Sequence, residues 1–253
     1  MEENINTKCA LCGREAELMQ SHIIPKLVYR RIRAFPNSRF RSMDNFGKEL
    51  QDGEKRPMLC HDCEEKFITL ETWFAKHFLD KYLKDETVPY VDDETNYQDY
   101  LLSVAWRILW DDLYRLNSFR DDTFRDELEK FEDRLRNYLL SGGSRESFEN
   151  EVFKLEDLIE VAENIMERAL FGYTVYNPIY GGFVIVYYAG LVFTTRYGNS
   201  RRMVISIDTD IKSYEEAVAE EMVYMFSQFR DRLKVHYTPE FQEKMRKRYK
   251  IEK

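Results

Sequence analysis

Two Cys-x-x-Cys pairs, Cys9/Cys12 and Cys60/Cys63, contain every cysteine of the 253-residue chain. A pair at this spacing presents two sulfurs from one tight turn, and two pairs together supply four thiolates in tetrahedral geometry. The chain between them must therefore leave and return to the same point. Gly13 follows the first pair and supplies the left-handed backbone that a tight knuckle uses. The second pair opens a helix. Four thiolates fill the coordination shell of zinc and leave no position for water, so Cys9, Cys12, Cys60 and Cys63 are expected to hold a structural zinc ion. A redox pair or free thiols are the other reading. His61 lies inside the second pair and is read as a surface residue, because four sulfurs already saturate the metal. The N-terminal MEENINTK has no apolar signal region, which leads to the expectation of a cytoplasmic protein with reduced thiols.

The rest of the chain divides by period. After Cys60, Phe67, Leu70, Phe74 and Phe78 recur at helical spacing. Residues 85–97 read as an acidic loop. Residues 98–170 read as helical, through YLLSVAWRILWDDLYRL with Trp106 and Trp110, then DDTFRDELEKFEDRLRNYLL. SGGSRES at 141–147 is a break, after which ENEVFKLEDLIEVAENIMERALF resumes a helix. From about residue 172 the runs GGFVIVYY, GLVFTTR and RMVISI are β-rich, separated by AG and YGNSR as turns. Ser213 and Glu216 form a capping-box pattern ahead of a long helix. TPEFQEKMRKRYK is a final helix with Thr238 as N-cap. The expected class is α+β, mostly helical: a zinc module over 1–84 and a body over 85–253. The body is helical over 98–170, with an antiparallel hairpin or meander plus long helices over 172–253. Val218, Met222, Met225 and Phe226 share one helix face, as core or as a homodimer interface. Tyr173, Tyr176, Tyr180, Tyr187, Tyr188 and Tyr197 are core or an aromatic binding surface. No apolar run reaches membrane-spanning length, so no membrane partner is expected.

Charge is unevenly placed. The chain is −8 overall, yet residues 21–60 carry nine Lys/Arg against four acids. Lys26, Arg30, Arg31, Arg33, Arg39 and Arg41 are candidate nucleic-acid contacts, because guanidinium forks match phosphate oxygens. Tyr29, Phe35 and Phe40 are interleaved with them and can stack on unpaired bases. An amphipathic turn that packs Leu27, Val28 and Ile32 and leaves the arginines to solvent explains the same pattern, and the two readings are compatible. An acidic body repels nucleic acid non-specifically while a local basic patch still grips it.

SHIIPK at 21–26, LQDGEK at 50–55 and MLCHDCEEKF at 58–67 resemble the HNH endonuclease superfamily. Its zinc-bearing members read Cys-x-x-Cys, then Asp/His-His-x-x-Pro, then Asn, then Leu-Cys-x-x-Cys-His. The chain is more closely similar to a bacterial group with SHIIPK, LQDG and LC..CE, and SVAWRIL at 103–109 is shared with that group. The resemblance covers about the first 110 residues. It implies a treble-clef (ββα-metal-like) module, with His22 on the general-base histidine. Ser21 stands where a metal-binding Asp/His is usual, Lys55 where an Asn orients the base, and Glu64 where a metal-binding His follows the last cysteine. A carboxylate at Glu64 suits Mg²⁺ or Mn²⁺, whereas a serine is a poor ligand. Lys55 cannot accept a hydrogen bond from imidazole but can stabilise charge on a phosphate. Asp52, Glu54 and Glu65 are close enough in sequence to complete the site. The expectation is a metal-dependent endonuclease in bacterial anti-phage defence or a toxin-type system, with catalytic residues His22, Glu64 and Lys55 and with DNA ahead of RNA as substrate. The alternative is a catalytically inactive zinc-stapled subunit that binds nucleic acid or protein, which the departures at Ser21 and Lys55 favour. A protein partner or homodimer contact falls to the C-terminal part.

Overall fold

The computed structural model of the chain describes residues 7–33, 41–42, 45–49, 52–89, 91, 94–116, 122–145, 147–159, 171–176, 183–197, 203–205 and 211–236. The front begins with strand β1 (Met19–His22) and helix α1 (Lys26–Ile32). Strands β2 (Arg41–Ser42) and β3 (Asn45–Glu49) follow, then strand β4 (Lys55–Leu59) and helix α2 (His61–Phe74). β1 and β4 pair antiparallel, with Ser21 opposite Arg56 and His22 opposite Lys55. The excursion thus returns to its start, as the cysteine spacing requires. α1 is amphipathic: Leu27, Val28, Tyr29 and Ile32 are buried, while Lys26 and Arg30 face solvent. Pro25 precedes its first turn in extended backbone, the conformation that fixes where the helix starts.

α2 runs through a π-helical turn (Ala75–Leu79) into α3 (Asp80–Asp85), which stops at Glu86 in the left-handed region (φ 61°). Phe67, Leu70, Phe74 and Phe78 are all buried, the stripe expected from their spacing. Helix α4 (Glu94–Asp111) begins inside the stretch read as an acidic loop and ends in a second π-helical turn (Asp112–Leu116). Every residue from Tyr100 to Leu109 is buried, because α4 packs against α2 on one side, helix α5 (Asp122–Ser141) on another and a β-sheet on a third. A helix enclosed all round needs apolar residues all round.

The structure corrects the helix expected after the glycine break. Phe148–Lys154 is strand β5, followed by the single turn α6 (Leu155–Leu158), and 160–170 lie outside the described residues. β5 pairs along its whole length with β8 (Leu191–Tyr197), from Phe148 opposite Tyr197 to Lys154 opposite Leu191. Its alternation is hidden because polar residues occupy both faces. Phe148 and Val152 pack inward, while Glu149 and Glu151 meet Arg196. The four-stranded antiparallel sheet has the order β5-β8-β7-β6, with β6 at Phe171–Tyr176 and β7 at Phe183–Tyr188. Ala189 (φ 56°) and Gly190 (φ 80°) make the two-residue turn between β7 and β8.

Both faces of the central strands β7 and β8 are buried, β5 and β6 are half-buried, and period-two alternation divides the residues between two cores. Val184, Val186 and Tyr188 join a cluster that includes Trp106, Phe74, Ile23 and Cys9. This one cluster thus draws side chains from both sides of residue 84. Phe183, Ile185 and Tyr187 face α7 (Tyr214–His236) instead, with Val218 and Met222 fully buried and Met225 and Phe226 packed against them. The α7 stripe is therefore core. The short strands β9 (Met203–Ile205) and β10 (Ile211–Ser213) pair just ahead of α7. The capping box forms: Ser213 N–H donates to Glu216 Oε2 at 2.7 Å, and Glu216 N–H donates to Ser213 Oγ at 3.2 Å. Tyr180, most of the YGNSR turn and the TPEFQEKMRKRYK helix with Thr238 lie outside the described residues. The class is α+β, with a cysteine cluster near the N-terminus. Among the described residues no helix is long and apolar enough to cross a membrane.

Candidate functional site

The four cysteines come together from two turns. In the first, Gly13 N–H donates to Cys9 O and Cys9 N–H to Arg14 O, both at 2.8 Å, with Gly13 in the left-handed region (φ 72°). Ala10 N–H donates to Met58 O, which fixes this knuckle to β4. Cys60 caps α2 and Cys63 lies in its first turn, where unpaired backbone N–H groups favour thiolate. All four Sγ atoms lie within 4.8 Å of one another, and Cys12 Sγ is 3.8 Å from Cys60 Sγ. Four sulfurs each about 2.3 Å from a zinc ion stand about 3.8 Å apart along a tetrahedron's edge, so the donor set fits that metal. No disulfide is formed. Burial pushes the Cys12 thiol up, but the Arg14 guanidinium at 3.4 Å and local backbone hydrogen bonding outweigh it and bring it to about 6. The Cys63 thiol is pushed up by burial and by its neighbouring cysteines. Four sulfurs this close can all ionise only around a cation, which makes the cluster a candidate zinc site. His61 is exposed, 3.7 Å from Glu65, and outside the sulfur shell.

The other end of the β1–β4 hairpin carries the imidazole. Strand alternation sends Ser21 and His22 to opposite faces of β1. His22 and its cross-strand neighbour Lys55 converge on Asp52 in the turn before β4. His22 Nε2 is 3.0 Å from Asp52 Oδ1, and Lys55 Nζ is 2.6 Å from Asp52 Oδ2. Gly53 N–H donates to Asp52 Oδ1 at 2.9 Å. Burial pushes the Asp52 carboxyl up, but Lys55, His22 and the Gly53 amide outweigh it and hold it well below the usual carboxylate range. An ionised carboxylate only accepts hydrogen bonds, so Nε2 donates this one, and in a neutral ring Nδ1 is the basic nitrogen. The imidazole is largely covered, with 11% of its side chain exposed, and Tyr29 flanks it at 6.0 Å between ring centroids. Arg107, buried on α4, donates to His22 O at 3.2 Å and to Glu71 Oε1 at 2.7 Å, with its guanidinium over the Phe67 ring. The backbone of His22 is thereby fixed to the body.

Glu64 stands on the opposite face from the imidazole. It accepts a 2.6 Å hydrogen bond from Ser21 Oγ, and Ser21 is fully buried. The two positions where the resemblance implies metal ligands are thus bonded to each other. Among the described residues the four cysteines form the group of three or more His, Cys, Asp or Glu side chains whose ligand atoms converge. Asp52 is the residue that sequence reasoning placed only among the nearby acids. Its signal was the LQDG turn ahead of β4, but only strand register puts that turn beside His22. Of the basic segment, Lys26, Arg30 and Arg33 are exposed at helical spacing, whereas Arg31 is held by Asp80 through two hydrogen bonds of 2.8 and 2.9 Å. Arg39 and the side chain of Arg41 lie outside the described residues. Comparison with protein-family models, curated proteins and solved structures finds no match to this chain.

Proposed function

We propose that residues 1–84 form an HNH-like treble-clef module that acts on nucleic acid, with zinc held by Cys9, Cys12, Cys60 and Cys63. The observation that carries this reading is the 3.0 Å contact between His22 Nε2 and Asp52, whose other partners leave it no freedom to turn away. A carboxylate-oriented imidazole is the arrangement of a general base that takes a proton from an attacking water. Asp52 does the orienting here, and Lys55 neutralises it while staying within reach of a phosphate. Lys26, Arg30 and Arg33 form a basic stripe that suits a phosphodiester backbone. Zinc staples the knuckle to α2 and has no open position for substrate. For a second, Mg²⁺-type ion the fit is incomplete: Glu64 offers one carboxylate already bonded to Ser21, so no step is assigned to such an ion.

The Ser21–Glu64 hydrogen bond supports the second reading, a subunit that binds nucleic acid without cutting it. One assay separates the two. Purified protein is incubated with DNA and with RNA in Mg²⁺ or Mn²⁺, beside His22→Ala. Cleavage that His22→Ala abolishes supports the enzyme. Salt-dependent binding without cleavage supports the binding subunit, and neither outcome leaves a protein-interaction role. A setting in anti-phage defence or a toxin-type system belongs to the first reading and follows from the resemblance.

A further inference from the structure

Glu54 lies two residues after Asp52 in the same turn, and the body grips it. Tyr173, on β6, donates its hydroxyl to Glu54 Oε2 at 2.9 Å. Arg115, in the turn after α4, lies 3.6 Å from Glu54 Oε1 and holds Asp111 with two nitrogens at 2.6 and 2.7 Å. Arg56, on β4, pairs with Glu54 and places Nε 3.3 Å from Asp111. Asp111 is fully buried. Two acids and two arginines form a neutral network across the join between hairpin, helix and sheet. Networks of this kind add little net stability over apolar residues of equal volume, so stability alone does not account for it.

The network fixes the turn that carries Asp52. Ile23 N–H, just past β1, donates to Glu54 O at 3.1 Å. Between Asp52 and Glu54, Gly53 has no room for a side chain: a Cβ there would lie 1.9 Å from the Tyr29 ring. Tyr29 cannot retreat, because its ring is edge-on to Phe171 of β6 at 4.8 Å. The turn is held by β1 through its backbone, by Tyr29 through its glycine and by the body through Glu54. Asp52 keeps only its own side-chain torsions, which Lys55, Gly53 N–H and His22 set. Among the described residues the groups facing the imidazole are Asp52 from the turn and Tyr29 from α1, with Lys55 reaching it through Asp52 and Arg107 bonded to its carbonyl.

We infer that Tyr173 and Arg115 are positioning residues for the His22–Asp52 pair, acting through Glu54 to fix the 52–54 turn and the tautomer of His22. This inference rests on the reading of His22 as a base. A shift of the turn by about 1 Å is enough to cost an oriented base one to two orders of magnitude in rate.

The test is the ring-nitrogen NMR spectrum of ¹⁵N-histidine-labelled full-length protein, where the four histidines are few enough to assign with His22→Gln. The wild type is expected to show His22 as a single Nε2–H tautomer. Asp52→Ala is expected to give a mixture. Tyr173→Phe, which removes one oxygen, and Glu54→Ala are expected to give mixtures too, with unfolding midpoints close to wild type for Tyr173→Phe. Where the wild type cleaves nucleic acid, Tyr173→Phe is expected to lower kcat roughly tenfold with KM unchanged. Retention of the wild-type tautomer in both Tyr173→Phe and Glu54→Ala overturns the inference while the pair itself stands. Retention in Asp52→Ala overturns both. Absence of cleavage by the wild type counts against the enzyme reading alone, since the tautomer still decides the positioning role.

Discussion

The front and the back of the molecule hold their shapes by different physics. In the back, β7 and β8 are buried on both faces between α4 and α7, and their stability comes from apolar area that is non-directional and shared among many residues. In the front, a four-residue strand pairs with a five-residue one, and α1 has seven residues. Elements this short add sulfur, ion pairs and one glycine to the apolar contacts that Ile23, Val28 and Ile32 make with the shared core. Directional contacts set geometry more sharply than apolar area does, but each depends on a single partner. The candidate site residues lie where the contacts are directional.

The comparison can be broken most forcefully at the cysteines. Cys60→Ser is expected to abolish zinc binding and to make amide exchange fast over residues 7–33 and 52–63, while β7 and β8 stay protected; structural zinc contributes on the order of 10 kcal/mol in small zinc modules. Protection lost evenly across the chain would show that front and back are one cooperative unit. Next in size, Ile185→Ala opens a cavity between the sheet and α7 and should cost about 2–5 kcal/mol in urea unfolding. Its zinc content should be unchanged when folded. Gly53→Ala is smaller, about 1–3 kcal/mol, because Tyr29 or the turn must shift. It should disturb the His22 ring-nitrogen signals far more than Ile185→Ala does, despite the lower thermodynamic cost.

The smallest effects concern two carboxylates shifted in opposite directions. Asp52 sits below its ordinary range, so its contribution is present above the unfolded-state value and lost as pH falls through the folded one. Glu132, whose carboxyl accepts from Trp106 Nε1 at 2.7 Å, is raised by burial, which the Trp106 hydrogen bond and nearby Arg136 only partly offset. Its contribution is complete below the unfolded-state value and lost as pH rises through the folded one. Asp52→Asn should therefore be destabilised at neutral pH, with a deficit that narrows on acidification. Glu132→Gln keeps an acceptor for Trp106 and should lie within about 1 kcal/mol of wild type, with an advantage that grows as pH rises. Unfolding midpoints across the acid range check both signs.

What was legible in the sequence follows the same division. The aromatic stripe of α2, the strands β7 and β8, the Ala189-Gly190 turn and the Ser213–Glu216 box are local patterns, and each forms as its spacing implies. The cysteine cluster was legible because its spacing is itself a geometric statement. β5 reads as helix in the sequence because its partner β8 is distant and its alternation is written in Glu and Asn. The His22–Asp52 contact was invisible for the same reason: thirty residues separate the two, and only the register of β1 on β4 brings them together. Glu64 was in view from the start, but nothing local shows that Ser21 would claim it.

Arg107 carries one more consequence. A front segment severed after residue 85 leaves behind the guanidinium on which two of its own oxygens, His22 O and Glu71 Oε1, depend. Phe67 would lose the cation that lids it. The front is therefore no portable cassette: a graft onto a foreign scaffold would keep its four cysteines yet let the imidazole's backbone drift, unless the recipient supplied an arginine at the same height.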